Sequence, residues 1–414
     1  MTIERQWFEI MKIEVPDAFQ DRLPDHFVQK EKAGFIDGQI KLMGMVSEYD
    51  WNVFLSRQFV QPIQKMLEMN ASVVVLAFDD YEHVPRAKSM TQAKRRKNLD
   101  PFPFVLGDSF PSKPPEPWDA AMANRVFKAS VVQWIIDQLD TALIFSHGVT
   151  IVIDWRGQKC MHWFLRDGIL VKEELARNQT GEADIKFLQW SKKLQMPMIV
   201  DAIDGDFVPI ALASKCSEIF IWRYKVLKEV GQGIAYEWVD IDSLRAGMNR
   251  AFQLMNLKHD VATWPGWELD CLLTLIGLTG TDYTRGLPWV GPKKVWTIVP
   301  SILPTLVLTC LDTSSGFAKV QPEHTASKLY GLIYANVFCN HVKNQGAALP
   351  CVLRELGSSK LSIKTKNMLP SYERAFCTAK NINFLLAYWN DLSPDSLAEE
   401  FGYRERGDTV EWDD

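Results

Sequence analysis

The chain has 414 residues, with 46 lysines and arginines against 51 aspartates and glutamates, which gives a formal net charge of −5. Its 47% hydrophobic and 23% charged residues are typical of a folded protein and exclude wholesale disorder. No uncharged apolar run reaches the roughly 18 residues of a membrane span, and the N-terminus is charged where a secretory signal is apolar. We therefore expect an intracellular protein, nuclear or cytoplasmic, that is not secreted and has no membrane partner.

The seven cysteines are scattered and never form a C-x-x-C pair. This spacing argues against both a disulfide framework and a thiolate zinc site.

Short, β-branched apolar runs that end in acidic residues predict buried strands. They lie at 32–37, 72–79, 149–154 and 196–204. Helical periodicity separates them, at 53–70, 120–143 and 182–194. This alternation predicts an α/β fold with a mostly parallel sheet covered on both faces.

Three further segments have distinct patterns. Residues 100–117 contain six prolines, which predict an extended loop. Residues 219–227 and 234–239 flank a glycine-containing turn and predict a β-hairpin. From about residue 264 onwards, the sequence predicts a mainly helical structure.

Acidic residues stand out where the predicted strands end and in two acid-x-acid pairs. They are Asp37, Asp79, Glu182, Asp184, Asp204 and Asp206, with Asp282 further along the chain. Ligand sites of parallel sheets lie at the carboxyl ends of the strands. Because neighbouring carboxylates repel, a cation must offset their charge, and hard cations such as Mg²⁺ prefer oxygen ligands. The pattern predicts a site for divalent metal, where two ions would promote phosphodiester hydrolysis.

Basic charge is concentrated in residues 86–97, which hold six basic residues and no acid. Lys88, Gln92, Arg95 and Arg96 have the spacing of a single helical face. Such a face suits a phosphate monoester or a nucleic-acid backbone, while the alternatives are a solvated helix face or a localisation signal. Arg86 and Lys94 extend the same basic segment.

In chain order, these motifs resemble the 5′ nuclease superfamily, which contains the flap endonucleases, the xeroderma-pigmentosum-G-type nucleases and the Xrn-type 5′→3′ exoribonucleases. The short matches are Phe35-Ile36-Asp37-Gly38, Ala77-Phe78-Asp79, Gly181-Glu182-Ala183-Asp184 and Asp204-Gly205-Asp206. The longest match runs from Leu278-Thr279-Gly280-Thr281-Asp282-Tyr283 into Gly286-Leu287-Pro288-Trp289-Val290-Gly291-Pro292-Lys293-Lys294-Val295. It is similar to the flap-endonuclease block G-S-D-Y…G-I-P-G-I-G-P-K-K-A.

The resemblance implies a PIN-like nuclease core over residues 1–262, with an insertion at about 98–180. It implies a helical region over 263–390, which begins with the last acidic motif and a helix-turn-helix element that holds a DNA backbone. Residues 391–414, with nine acids and two arginines, form an acidic tail.

The resemblance also assigns roles to residues. The seven acids would hold two Mg²⁺ or Mn²⁺ ions, and K⁺ would bind at the helix-turn-helix. Lys88 and Arg95 would contact the scissile or terminal phosphate, and Lys293 and Lys294 would contact the nucleic-acid backbone.

These features favour a flap-endonuclease-like DNA nuclease with endo- or exonuclease activity and a role in repair or replication. The basic segment is more similar to the Xrn-type pocket for a 5′-monophosphate, so an RNA nuclease is the first alternative. A catalytically inactive nuclease fold that only binds nucleic acid is the second. No sliding-clamp peptide is recognisable near the C-terminus.

Overall fold

The computed structural model describes residues 3–44, 50–79, 102–142, 149–155, 159–166, 169–176, 182–202, 204–214, 216–225, 235–259, 263–281, 284, 286–288, 290–312, 319–338, 349, 352, 371–389, 403–406 and 409–412.

The helices are α1 (Ile3–Glu14), α2 (Asp25–Gln29), α3 (Gly38–Met43), α4 (Trp51–Leu55), α5 (Gln61–Glu68), α6 (Trp118–Ala123), α7 (Arg125–Ala142), α8 (Ala183–Leu194), α9 (Phe207–Ala213), α10 (Ile241–Asn256), α11 (Trp267–Thr279), α12 (Pro292–Thr305), α13 (Pro322–His324), α14 (Tyr330–Phe338) and α15 (Tyr372–Trp389). A 3₁₀ turn covers Pro16–Ala18, and wider π-helical turns cover Ser56–Val60, Leu306–Cys310 and Thr325–Leu329.

The strands are β1 (Phe19–Gln20), β2 (Lys32–Asp37), β3 (Ala71–Ala77), β4 (Thr150–Asp154), β5 (Lys159–Arg166), β6 (Ile169–Ala176), β7 (Met198–Asp201), β8 (Ile219–Lys225), β9 (Ala235–Asp240), β10 (Leu311–Asp312), β11 (Lys319–Val320), β12 (Tyr403–Arg406) and β13 (Thr409–Trp412).

Nine strands form the main sheet, in the order β1-β9-β8-β7-β2-β3-β4-β5-β6. The five central strands, from β8 to β4, run parallel, and the strands outside them are antiparallel. The predicted α/β class with a mostly parallel sheet is therefore confirmed. The predicted hairpin is confirmed as the β8–β9 pair.

The two faces of the sheet bury two apolar clusters. On β2, Phe35 belongs to one cluster and Ile36 to the other, because successive side chains of a strand point to opposite faces. The cluster that contains Phe35 continues into the C-terminal helices as far as Trp389. It contains residues from both sides of position 262, and the division of the chain there stays a prediction.

Two segments differ in detail from the sequence prediction. The helix predicted at 120–143 is divided into α6 and α7 at Asn124, whose side chain accepts a hydrogen bond from the N–H of Phe127 at 3.0 Å and starts a new helix. Besides the predicted strand at 149–154, which is β4, the segment at about 98–180 contributes β5 and β6 to the main sheet, and its status as an insertion stays a prediction. Among the helices described, none has the length and apolar character needed to cross a membrane.

Candidate active site

The strand order reverses between β2 and β7, since β3 and β4 follow on one side of β2 while β7 and β8 lie on the other. In open α/β sheets, ligands bind at such a switch point, beyond the carboxyl ends of the strands. Asp37 is the last residue of β2, Asp79 follows β3 by two residues, and Asp204 follows β7 by three. The topology thus places three of the sequence-predicted acids at one edge of the sheet.

Asp37 is buried, and its side chain caps helix α3. Its Oδ1 accepts hydrogen bonds from the backbone N–H groups of Gln39 at 3.0 Å and Ile40 at 3.2 Å. Gly38 is required beside it, because a Cβ there would lie 2.7 Å from the Phe78 ring and 2.8 Å from the Ala77 carbonyl oxygen. The Asp37-Gly38 pair therefore lets the chain turn from strand to helix against β3.

Asp79 joins the end of β3 to the start of α8. Its Oδ1 accepts a hydrogen bond from the backbone N–H of Ala183 at 3.0 Å. Glu182 occupies the N-cap position of α8 without capping it through its own side chain, and Asp184 lies in the first turn. Glu182 and Asp184 are both buried. This one hydrogen bond brings the second and third acidic motifs together although they are far apart in sequence.

The fourth acidic motif forms the tight turn before α9. Oδ1 of Asp204 accepts a hydrogen bond from the backbone N–H of Asp206 at 3.3 Å. Asp204 is exposed, whereas Asp206 is only 4% exposed and occupies the N-cap position of α9. The two carboxylates of this short motif therefore differ in solvent exposure.

The charges of these motifs act on one another. The pKa of Asp37 is raised well above its usual value, first by burial and then by repulsion from Asp79, Asp204 and Asp184, and the hydrogen bond from Ile40 opposes the shift only in part. Each of the repelling carboxylates comes from a different motif. The structure therefore brings Asp79, Asp184 and Asp204 within electrostatic reach of Asp37.

Two other strand-end acids differ because each has a buried lysine partner. Asp201, the last residue of β7, is 2.7 Å from Nζ of Lys41 on α3. Asp154, the last residue of β4, is 3.3 Å from Nζ of Lys186 on α8 and accepts a hydrogen bond from Trp190 Nε1 at 2.7 Å. These pairs attach α3 and α8 to the sheet, and the sequence analysis did not identify them.

The last acidic motif follows α11 in a compact turn. Oγ1 of Thr284 donates to the Gly277 carbonyl at 2.7 Å, and the N–H of Thr281 donates to the Thr284 carbonyl at 3.1 Å. A Cβ on Gly286 would lie only 2.1 Å from the Thr279 carbonyl oxygen, so the turn needs glycine there. Asp282 lies between these residues and outside the described ranges, as do Tyr283 and Trp289.

Lys293 and Lys294 are exposed in the first turn of α12, directly after this loop. Lys293 is 2.8 Å from a carboxylate oxygen of Glu9 on α1. The predicted basic residues of the second motif lie outside the described residues; they are Arg86, Lys88, Gln92, Lys94, Arg95 and Arg96.

Helix α1 was missed by the sequence analysis, although Trp7, Ile10 and Met11 have helical apolar spacing. Trp7 is buried, and its Nε1 donates to Oγ1 of Thr279 at 2.7 Å, at the end of α11. A small cleft beside the site is lined by residues of α1, of the turn before α9 and of the end of α11. The helix therefore forms one wall next to Asp206.

The donor chemistry of this edge fits a hard divalent cation, because three carboxylates repel that of Asp37 and hard cations take oxygen ligands. Nevertheless, within the part of the chain that the structure describes, no three His, Cys, Asp or Glu side chains are grouped closely enough to hold a metal ion. A complete coordination shell would therefore need these side chains to move together or Asp282 to join them.

Comparison with known proteins gave structural matches only. No protein-family model matches the chain, and no curated protein matches it. Two similar solved structures are both of the catalytic core of Rad2 in complex with DNA substrate. Complex III shares 14% identity at a TM-score of 0.37, over 70% of this chain and 65% of that chain, and thus less than two thirds of it. Complex IV shares 14% identity at a TM-score of 0.37, and the match covers 91% of this chain and 98% of that chain.

The function proposed below rests on the residues of the site.

Proposed function

We propose that this protein is a divalent-metal-dependent nuclease that hydrolyses phosphodiester bonds at or near 5′ ends, in the manner of a flap endonuclease acting on DNA. The observation that supports this most is the placement of Asp37, Asp79 and Asp204 at or just beyond the ends of β2, β3 and β7, at the switch point of the sheet. Burial, together with repulsion from Asp79, Asp204 and Asp184, raises the pKa of Asp37 there. A hard divalent cation would offset this repulsion, because such cations take carboxylate oxygens as ligands.

The proposed metal ligands are the acids of all the motifs. They are Asp37, Asp79, Glu182, Asp184, Asp204, Asp206 and Asp282. Two Mg²⁺ or Mn²⁺ ions held there would supply Lewis-acid stabilisation of the charge that develops on the phosphodiester during hydrolysis. We further propose K⁺ at the turn between α11 and α12.

The side chains around these ligands hold them in place. Backbone N–H groups of α3 and α8 fix the carboxylates of Asp37 and Asp79. The buried pairs Asp201–Lys41 and Asp154–Lys186 attach the same two helices to the sheet. Asp37 and Asp79 are therefore positioned by the starts of two helices that the lysine pairs attach to the sheet.

Lys88 and Arg95 are proposed to orient and neutralise the phosphate, with support from Gln92 and Arg96. Lys293 and Lys294 are proposed to bind the backbone of a duplex beside the cut strand, since exposed lysines at a helix start suit phosphate contacts.

The test uses labelled 5′-flap DNA and a single-stranded RNA with a 5′-phosphate, each incubated with the protein in Mg²⁺ or in EDTA. We expect Mg²⁺-dependent cutting near the flap junction, and its loss in Asp204→Asn and Asp206→Asn. Asp17→Asn is the control, because Asp17 is an exposed acid on the turn after α1.

Selective loss of RNA from its 5′ end would instead establish the RNA nuclease. Binding of either nucleic acid without cleavage in Mg²⁺ or Mn²⁺ would establish the inactive fold. Full activity of the Asp204 or Asp206 variant would contradict the assignment of the site.

A further inference from the structure

Helix α1 lies against the first turn of α12, where the proposed function places the duplex backbone. The contacts between the two helices are polar as well as apolar. Oε2 of Glu9 is 2.8 Å from Nζ of Lys293, and Oε1 of Glu14 accepts a hydrogen bond from Trp296 Nε1 at 2.8 Å. The Trp7 and Trp296 rings pack edge to face, with 6.2 Å between their centroids.

Helix α1 also contacts other elements, so its position beside α12 does not depend on the Glu9–Lys293 ion pair alone. Trp7 bonds to Thr279, and the guanidinium of Arg223 on β8 lies 3.5 Å from the centre of the Phe8 ring. Lys12 pairs with Glu237 on β9. Glu9 is therefore held at Lys293 by a helix that is anchored on several elements.

We propose that the Glu9 carboxylate occupies Lys293 in the place of a nucleic-acid phosphate, and so limits how strongly this turn binds a duplex backbone. The inference rests on the proposed function, because it takes Lys293 to be a phosphate contact. The Glu9 carboxylate and a nucleic-acid phosphate both present anionic oxygens that accept hydrogen bonds from the Lys293 ammonium. One lysine cannot fully neutralise the charge of both. Binding of a phosphate at Lys293 must displace Glu9 or share the charge with it.

The competition shifts affinity without blocking binding. The Lys293 side chain is 58% exposed and that of Glu9 is 32% exposed. Ion pairs this accessible are weak, so removing Glu9 should strengthen duplex binding only about two- to fivefold. A freed Lys293 that neutralises one more phosphate should also steepen the dependence of log K on log salt by about one.

The experiment measures binding of a short labelled duplex DNA by fluorescence anisotropy, in EDTA and at several salt concentrations, with the whole chain. The key variant is Glu9→Gln, which keeps the size of the side chain and removes its charge. Asp17→Asn removes the same charge from an exposed residue that forms no ion pair within the described part of the chain. We expect tighter binding and a steeper salt slope for Glu9→Gln, and neither change for Asp17→Asn.

Lys293→Ala and the double variant Glu9→Gln/Lys293→Ala complete a double-mutant cycle of the two residues. We expect Lys293→Ala to weaken binding and the double variant to bind like Lys293→Ala alone, because the proposal has Glu9 act through Lys293. Thermal unfolding of each variant checks that the fold is kept.

Equal gains in Glu9→Gln and Asp17→Asn, or a gain that persists in the double variant, would overturn the inference and leave the proposed nuclease intact. If Lys293→Ala binds duplex as wild type does, the phosphate contact and this inference both fall. Metal-dependent cleavage of flap DNA would still decide the proposed function separately.

Discussion

The carboxylate of Asp79 accepts a hydrogen bond from the backbone N–H of Ala183 at 3.0 Å, and so connects the end of β3 to the start of α8. This contact gives Asp79 two separable roles. As an acceptor it caps a helix, and as a charge it adds to the repulsion that raises the pKa of Asp37. Substitutions that remove one role but not the other can distinguish them.

Asp79→Asn should keep the cap, because the amide oxygen still accepts from Ala183, and should remove the charge. In EDTA we expect no loss in the free energy of unfolding and a small gain, because the repulsion from Asp37 is relieved, but a severe loss of metal-dependent cleavage. Asp79→Ala should lose the cap as well, at a cost of about 1 kcal/mol. Urea unfolding and the flap assay measure the two effects, and equal stability losses in both variants would contradict the capping role.

Lys186 is a buried cation whose removal should be far more costly. Its Nζ lies 3.3 Å from the Asp154 carboxylate and donates to the carbonyls of Phe78 at 2.5 Å and Asp154 at 3.2 Å. Lys186→Met removes the cation beside the buried Asp154 carboxylate, a change that typically costs about 3–5 kcal/mol. The free energy of unfolding in urea measures this loss.

The matched control is Lys186→Met/Asp154→Asn, which removes both charges and keeps an amide to accept from Trp190. We expect it to recover a large part of the stability. A single variant as stable as wild type would show that the pair does not hold α8 on the sheet.

The sequence was sufficient to predict the strands that carry the acids, because β2, β3, β4 and β7 are short β-branched runs between polar residues. It also identified acids at the ends of β2, β3 and β7, which are Asp37, Asp79 and Asp204. It could not separate Asp37 from Asp154 and Asp201, which end strands in the same way. Their lysine partners lie on other elements, and only the folded chain brings them together.

Other features were present in the sequence but not recognised. The hairpin of β5 and β6 pairs Arg166 with Ile169 across the dipeptide Asp167-Gly168, which is a strong two-residue turn signal. By contrast, the pair of Glu9 with Lys293 had no local signal, because its two residues are 293 − 9 = 284 positions apart in the sequence. Long-range pairs of this kind depend on packing that no single segment encodes.

Gly286 should tolerate no side chain. A Cβ there would lie 2.1 Å from the Thr279 carbonyl oxygen, which is backbone and cannot swing away. Gly286→Ala should therefore cost about 1–3 kcal/mol, as overpacking commonly does, and should disturb the turn that carries Asp282. Gly291→Ala is the matched control in the same loop, because the nearest atom to its Cβ is the flexible Gln6 Oε1 at 3.3 Å. Equal unfolding temperatures for the two variants would contradict this account.

Asp37→Asn should stabilise the metal-free protein, because it removes one of the charges that repel Asp79, Asp184 and Asp204. The amide oxygen can still accept from Gln39 and Ile40, so the cap of α3 is kept. In EDTA at neutral pH we expect a higher unfolding temperature than for wild type. Addition of Mg²⁺ should raise the unfolding temperature of wild type, since a ligand that binds only the folded state stabilises it, and should raise that of Asp37→Asn much less.

Asp50→Asn is the control for this comparison. Asp50 also caps a helix, accepting from the N–H groups of Asn52 at 2.7 Å and Val53 at 3.3 Å, but it is exposed and outside the acidic cluster. It should change neither the unfolding temperature in EDTA nor the response to Mg²⁺. If Mg²⁺ stabilises Asp37→Asn as strongly as wild type, the metal does not bind at the carboxyl end of β2, and the repulsion at Asp37 has another origin.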